Sequence, residues 1–204
     1  MTQSRRRFLK AAAATGALAG LNATVLAQDG GGGEEVIILG GETAGWLGWR
    51  LPGEGSENAP SNPTLNLQAG TTYTLFWENV DGVGHNFAIQ DANGNSLEVL
   101  EPLGVSSDVF QQINGTAPDQ NVSLQISDGN VTGVGNETGG NATDDRQGTP
   151  SLVAETEIIT GEGSVQGVRF ETSEEMAQYI CIVHPTTMVG EVSIQGGGGA
   201  NSSG

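Results

Sequence analysis

The chain has 204 residues, 24 of them acidic and 7 basic, for a formal charge of −17. Arg5, Arg6, Arg7 and Lys10 sit at the start, so the remainder sets only Arg50, Arg146 and Arg169 against 24 carboxylates, a formal 3 minus 24, or −21. So acidic a surface excludes nucleic acid and anionic membranes as partners, because both need a basic face that displaces counterions.

In chain order, Ser4-Arg-Arg-Arg-Phe-Leu-Lys10 is followed by an alanine-rich apolar run to Ala27 without an acidic residue. This reads as an export signal, and Arg5-Arg6 with Phe8, Leu9 and Lys10 resembles the twin-arginine motif. Cleavage after Val25-Leu26-Ala27 is expected, with an uncleaved anchor as the alternative. The expected location is therefore outside the cytoplasm, at the cell surface or secreted, with no transmembrane segment in the mature chain. Beyond the signal the chain holds no lysine. A carboxylate-rich, lysine-free surface is similar to that of proteins from salt-loving archaea, where salt screens self-repulsion; a merely acidic secreted protein is the alternative.

Gly30 to Gly33 and Gly196 to Gly199 read as flexible tethers on either side of one folded domain. The division expected is residues 1–27 signal, 28–33 linker, 34–195 folded domain and 196–204 tail. Within the domain, helical periodicity is nearly absent. Short runs rich in Val, Ile, Thr and aromatics alternate with turn residues, which is an all-β pattern. Strands are predicted at Glu35–Leu39, at Thr64–Leu67 and at Thr71–Glu78, where Tyr73, Leu75 and Trp77 share one face. Trp46-Leu47-Gly48-Trp49 follows the first of them. The run His85 to Ile89 places His85, Phe87 and Ile89 together, so His85 points where apolar residues point. Further strands are expected at Val165–Phe170, Gln178–Val183 and Glu191–Ile194. Short strands without βαβ alternation predict a two-sheet sandwich.

Residues from about 91 to 163 differ. Asn114, Asn121, Asn130, Asn136 and Asn141 each begin a glycosylation sequon within a stretch rich in Gly, Asn and Asp. A solvated insertion is expected there, with one short strand at Val122–Ile126 and an apolar patch at Leu152–Ile159. N-glycans on the five asparagines are the functional reading, and chance sequons in an Asn- and Thr-rich stretch the bland one.

The only cysteine, one of two histidines and one of three methionines crowd into Tyr179-Ile-Cys181-Ile-Val-His184-Pro-Thr-Thr-Met188. A lone cysteine in an exported chain makes no internal disulfide, so it is a buried small residue, an intermolecular partner or a functional thiol. One strand end and one turn can gather Cys181, His184 and Met188 about one point, and His85 is the other imidazole. Two imidazoles, a thiolate and a weak axial thioether are the donors of a blue-copper site, since thiolate and thioether suit Cu(I) while imidazole suits both oxidation states. Singly, each residue is more often packing than ligation; the combination is what points to a metal.

Gly84-His85-Asn86-Phe87 with Cys181-Ile-Val-His184-Pro-Thr-Thr-Met188 resembles the cupredoxin family of small blue copper proteins, over most of Glu34 to Gln195 apart from the insertion. The resemblance implies a Greek-key β-sandwich with a long loop insertion, one type 1 copper ion on His85, Cys181, His184 and Met188, and a one-electron carrier rather than an enzyme. It implies that Asn86 bonds across to the cysteine loop, and that the Gly84 carbonyl approaches the metal opposite the methionine, as in azurin. Three residues separate His184 from Met188, between the four of plastocyanin and the two of amicyanin, which leaves axial bond length and potential open. A monomer is expected, docking its redox donor and acceptor near His184. Two other classes remain: a copper carrier or chaperone, against which counts a mature chain holding only Met176 and Met188, and a glycosylated surface protein with a structural zinc site.

Overall fold

A computed structural model of the protein describes residues 35–52, 61–116, 120, 122–135 and 150–196. The signal, the linker, residues 197–204 and the sequon asparagines Asn121, Asn136 and Asn141 lie outside the described residues. All described residues fall within one compact unit, Gly32–Gly204. Among the described residues no helix is long and apolar enough to cross a membrane.

Among the described residues the strands are β1 (Glu35–Glu42), β2 (Gly45–Arg50), β3 (Leu65–Gln68), β4 (Thr72–Asn79), β5 (Ala88–Gln90), β6 (Glu101–Val105), β7 (Ser123–Ser127), β8 (Asn130–Gly135), β9 (Val165–Glu171), β10 (Gln178–Ile180) and β11 (Val189–Gln195), with one helix, α1 (Ser107–Asn114), after β6. They form a seven-stranded sheet in the order β2-β1-β4-β9-β6-β8-β7 and a four-stranded sheet in the order β3-β11-β10-β5. Both sheets are mixed: β1 runs parallel to β4 and β3 parallel to β11, while β4–β9 and β10–β11 are antiparallel.

The two sheets face each other across the main core, so the chain is an all-β sandwich. Leu39, Trp46, Leu75 and Trp77 of the large sheet meet Leu65, Phe87, Tyr179 and Val192 from the small-sheet side, together with Cys181 and Met188. The expected alternation of Tyr73, Leu75 and Trp77 holds, and all three are buried. The opposite face of the large sheet is buried as well. Val36, Ile38 and Phe76 lie in a second core with Leu103, Leu124, Ile126 and Val131, closed by Phe110 and Ile113 of α1. These two helical residues stand at i and i+3 and share one side. Ser106 starts the helix by accepting from the Val109 amide at 3.3 Å, and Asp108 complements the dipole in its first turn.

The segment 91–163 thus carries more structure than its composition announces. The sequence shows one strand there, whereas β6, α1, β7 and β8 all form, and β6 pairs directly with β9 of the main sheet. The β7–β8 turn is Asp128-Gly129, both at positive φ, the backbone that a tight hairpin between right-twisted strands requires. Two predicted strands are shorter than expected. The run from His85 is regular strand only over Ala88–Gln90, because Thr156 takes the place of a ladder partner: its Oγ1 accepts from the Phe87 amide at 2.9 Å and its amide donates to the Phe87 carbonyl at 2.9 Å. The run from Gln178 ends at Ile180, where the chain turns into the loop described next.

Candidate metal centre

His85 is delivered by the turn after β4. Asn79 closes that turn, its Oδ1 accepting from the Gly82 amide at 2.7 Å and its Nδ2 donating to the Val83 carbonyl at 2.6 Å. Gly82 takes a positive φ of 74°. The His85 backbone then pairs on both sides with Ile159, at 3.0 and 2.9 Å, and the side chain is fully buried. A Cβ at Gly84 would meet Ile158 Cγ2 at 3.2 Å, so glycine lets the 158–160 segment close over the histidine.

The other three candidates ride on one closed loop between β10 and β11. The Cys181 amide donates to the Met188 carbonyl at 3.0 Å, and the Met188 and His184 amides donate to the His184 and Cys181 carbonyls at 3.0 and 3.1 Å. Trp46 Nε1 donates to the Met188 carbonyl at 3.2 Å, which docks the loop on the aromatic core. Asn62 bridges the same elements: its Nδ2 donates to the Thr187 carbonyl at 2.8 Å and its Oδ1 accepts from the Trp46 amide at 2.8 Å. Asn86, singled out from the sequence, does cross to the loop: its Oδ1 accepts from the Ile182 amide at 2.9 Å. The Asn86 amide also points at Cys181 Sγ, 3.5 Å away, a donor suited to a thiolate.

These contacts bring His85, Cys181 and His184 together. The two histidine Nδ1 atoms are 3.1 Å apart, and each lies 3.8 Å from Cys181 Sγ. A point equidistant from the three atoms is about 2.1 Å from each, which matches the transition-metal bond lengths of roughly 2.0–2.3 Å typical for imidazole nitrogen and thiolate sulfur. Met188 is fully buried in the same core as Cys181. The two imidazoles and the cysteine sulfur therefore fit a small transition-metal ion in spacing and chemistry. Cys181 is a free, fully buried thiol. His184 is half-buried, so the site meets solvent through that residue.

One participant escapes the sequence reading. Asp81 Oδ1 lies 2.8 Å from His85 Nε2, and Oδ2 accepts from the amide and hydroxyl of Thr43, both at 2.7 Å. Burial works to raise the Asp81 carboxyl, but hydrogen bonds from Thr43, His85 and Val83 together hold it well below the usual carboxylate range. Its signal in the sequence is slight, one acid four residues before a histidine in a turn. Around the site, Val83, Ile158, Ile182 and Val183 are exposed, four of the five exposed large apolar side chains among the described residues.

No protein-family model matches the chain, and no curated protein matches it. Solved structures of auracyanin and rusticyanin are similar to it. The reduced auracyanin of Roseiflexus castenholzii is 12% identical over 81% of this chain and 100% of its own, with a TM-score of 0.38. Auracyanin A of Chloroflexus aurantiacus, described as a "blue" copper protein, is 17% identical over 79% of this chain and 99% of its own, at 0.34. Rusticyanin of Thiobacillus ferrooxidans is 16% identical over 81% of this chain and 79% of its own, at 0.33.

Proposed function

We propose that the protein is a type 1 copper protein that carries single electrons between redox partners outside the cytoplasm, with His85, Cys181, His184 and Met188 as the ligands. The observation that carries this reading is the triangle of two Nδ1 atoms and one Sγ with a buried methionine in the loop that closes it. A bound copper ion supplies the Cu(II)/Cu(I) couple; softer sulfur and borderline nitrogen donors suit both states. Zinc is the weaker candidate, because its structural sites use thiolate, imidazole and carboxylate rather than thioether.

The chain's own residues do the remaining work. Hydrogen bonds on both sides of the loop hold the donors in place, so little has to move when an electron arrives or leaves. Burial of His85, Cys181 and Met188 keeps water from the site on all sides but that of His184. The chain has two histidines, and both belong to this site, which leaves no imidazole for a second, substrate-turning copper centre and supports a carrier rather than an enzyme. Export rests on the twin-arginine segment. Docking of donor and acceptor near His184 is supported by the exposed apolar side chains of Val83, Ile158, Ile182 and Val183, a small contact area suited to brief encounters.

The test is titration of the protein with Cu(II) in high salt, followed by visible absorption and electron paramagnetic resonance, alongside Cys181→Ser. The expected result is an intense thiolate-to-copper band with narrow hyperfine splitting, absent in the variant and bleached reversibly by ascorbate. A colourless protein, or equal copper binding without Cys181, overturns the reading; tight Zn(II) binding without a copper band transfers the site to a structural metal.

A further inference from the structure

Asp81 is not a candidate ligand, yet it holds the one donor that comes from far along the chain. An ionised carboxylate only accepts, so the 2.8 Å contact with His85 Nε2 requires that nitrogen to carry the proton. A neutral imidazole has one N–H, which leaves Nδ1 as a bare lone pair, and Nδ1 is the atom turned toward Cys181 and His184. The carboxylate is itself fixed. Oδ1 also accepts from the Val83 amide at 3.0 Å, and Oδ2 takes both donors of Thr43 in the turn between β1 and β2. Thr43 continues the chain of contacts: its carbonyl accepts from the Thr187 hydroxyl at 2.5 Å, one residue before Met188. The β1–β2 turn thus clamps the His85 segment and the Cys181–Met188 loop from one side.

We infer that Asp81 is the positioning residue of this site: its carboxylate locks His85 in the Nε2–H form that offers Nδ1 to the metal, and its negative charge favours the oxidised over the reduced ion. The inference rests on the type 1 copper reading for its second half only. Outer groups that orient an imidazole in this way raise its basicity as a ligand, and a fixed anion next to a redox ion stabilises the higher charge.

Two readouts separate the halves. In the metal-free wild type, long-range nitrogen–proton NMR is expected to show His85 with Nε2–H and a bare Nδ1, and Asp81→Ala is expected to lose this form. In the copper-loaded proteins, Asp81→Asn is expected to lower the ratio of Cu(II) to Cu(I) affinity about tenfold, an upward potential shift of about 59 mV for one electron. Asp81→Ala is expected to weaken Cu(II) binding by about 10- to 100-fold. A metal-free wild type with Nδ1–H on His85 overturns the lock and needs no variant. Equal potentials for wild type and Asp81→Asn overturn the charge effect. A wild type without a thiolate–copper band fails the copper reading instead, and the NMR result then decides for or against Asp81 on its own.

Discussion

Gly190→Ala is the most exacting test of how the core holds the loop. Gly190 lies on β11 directly opposite Tyr179 of β10. A Cβ there would stand 2.1 Å from Tyr179 Cζ, 2.2 Å from Cε1 and 2.3 Å from the hydroxyl. The ring cannot swing aside. It is fully buried, stacked on Phe87 with centroids 6.0 Å apart and tilted on Trp46 at 6.2 Å, and its hydroxyl donates to the Pro63 carbonyl at 2.6 Å. Overpacking of this kind costs about 1–3 kcal/mol. Displacing the ring also breaks a buried hydrogen bond and strands its partners, about 1–3 kcal/mol more. The middle of the combined range, about 4 kcal/mol, corresponds to a fall in Tm of roughly 8–16 °C for a domain of this size. Urea and thermal unfolding of the metal-free protein in high salt measure it. In a Tyr179→Leu background the same alanine is expected to cost less than about 1 kcal/mol, since the obstructing ring atoms are gone. Stability of Gly190→Ala within about 0.5 kcal/mol of wild type refutes the packing argument.

Asn86→Ala removes the acceptor of the Ile182 amide and is expected to lower stability by about 1–3 kcal/mol, seen as an earlier urea midpoint at unchanged slope; an unmoved midpoint contradicts the role given to that bond. The chain's two tyrosines, Tyr73 and Tyr179, both have phenols pushed above the ordinary 10.0 by burial. The stability this gives is fully present below about pH 10 and declines above it, so phenolate absorbance is expected to appear only with unfolding; a reversible phenolate step near pH 10 in the folded protein counts against the burial. Asp91 is held at about 2, below the ordinary 3.8, by the Asn95 side chain and amide and by Asn93. Its contribution is present above about pH 3.8 and lost as pH falls through about 2, so Asp91→Asn is expected to flatten that part of the acid limb, and a carboxyl titrating near 3.8 by NMR disproves the turn's effect.

Much of the sandwich was legible because one face of each strand is apolar: Tyr73, Leu75 and Trp77 read as a buried row and are one. The second core was not. Phe76 and Thr74 on the opposite face of β4 are also buried, and that burial comes from residues of the insertion, where Phe110, Ile113, Leu124, Ile126 and Val131 are scattered among Gly, Asn and Asp. An eight-residue helix with two buried positions is too short to show a 3.6-residue period. At the site, Cys181, His184, Met188 and His85 stood out because their types are rare in this chain. Asp81 did not, being one acid among 24, and its meaning depends on Thr43, 38 positions away, which only the folded turn brings to it.

The closed loop also says something about the unfolded chain. Cys181 is three residues from His184 but 96 from His85, so the loop donors stay neighbours when the fold opens and His85 departs. On the proposed ligand set, an ion that meets the unfolded chain finds most of its donors already local, and the closure entropy that remains is concentrated in one long-range arrival. Metal then stabilises the native state only by the advantage that His85 and the rigid frame add over that partial chelate. With those ligands, the rise in unfolding temperature on metal addition is a gauge of how well the turn after β4 delivers a single side chain, and the loop is where an ion would be collected before the sandwich has closed.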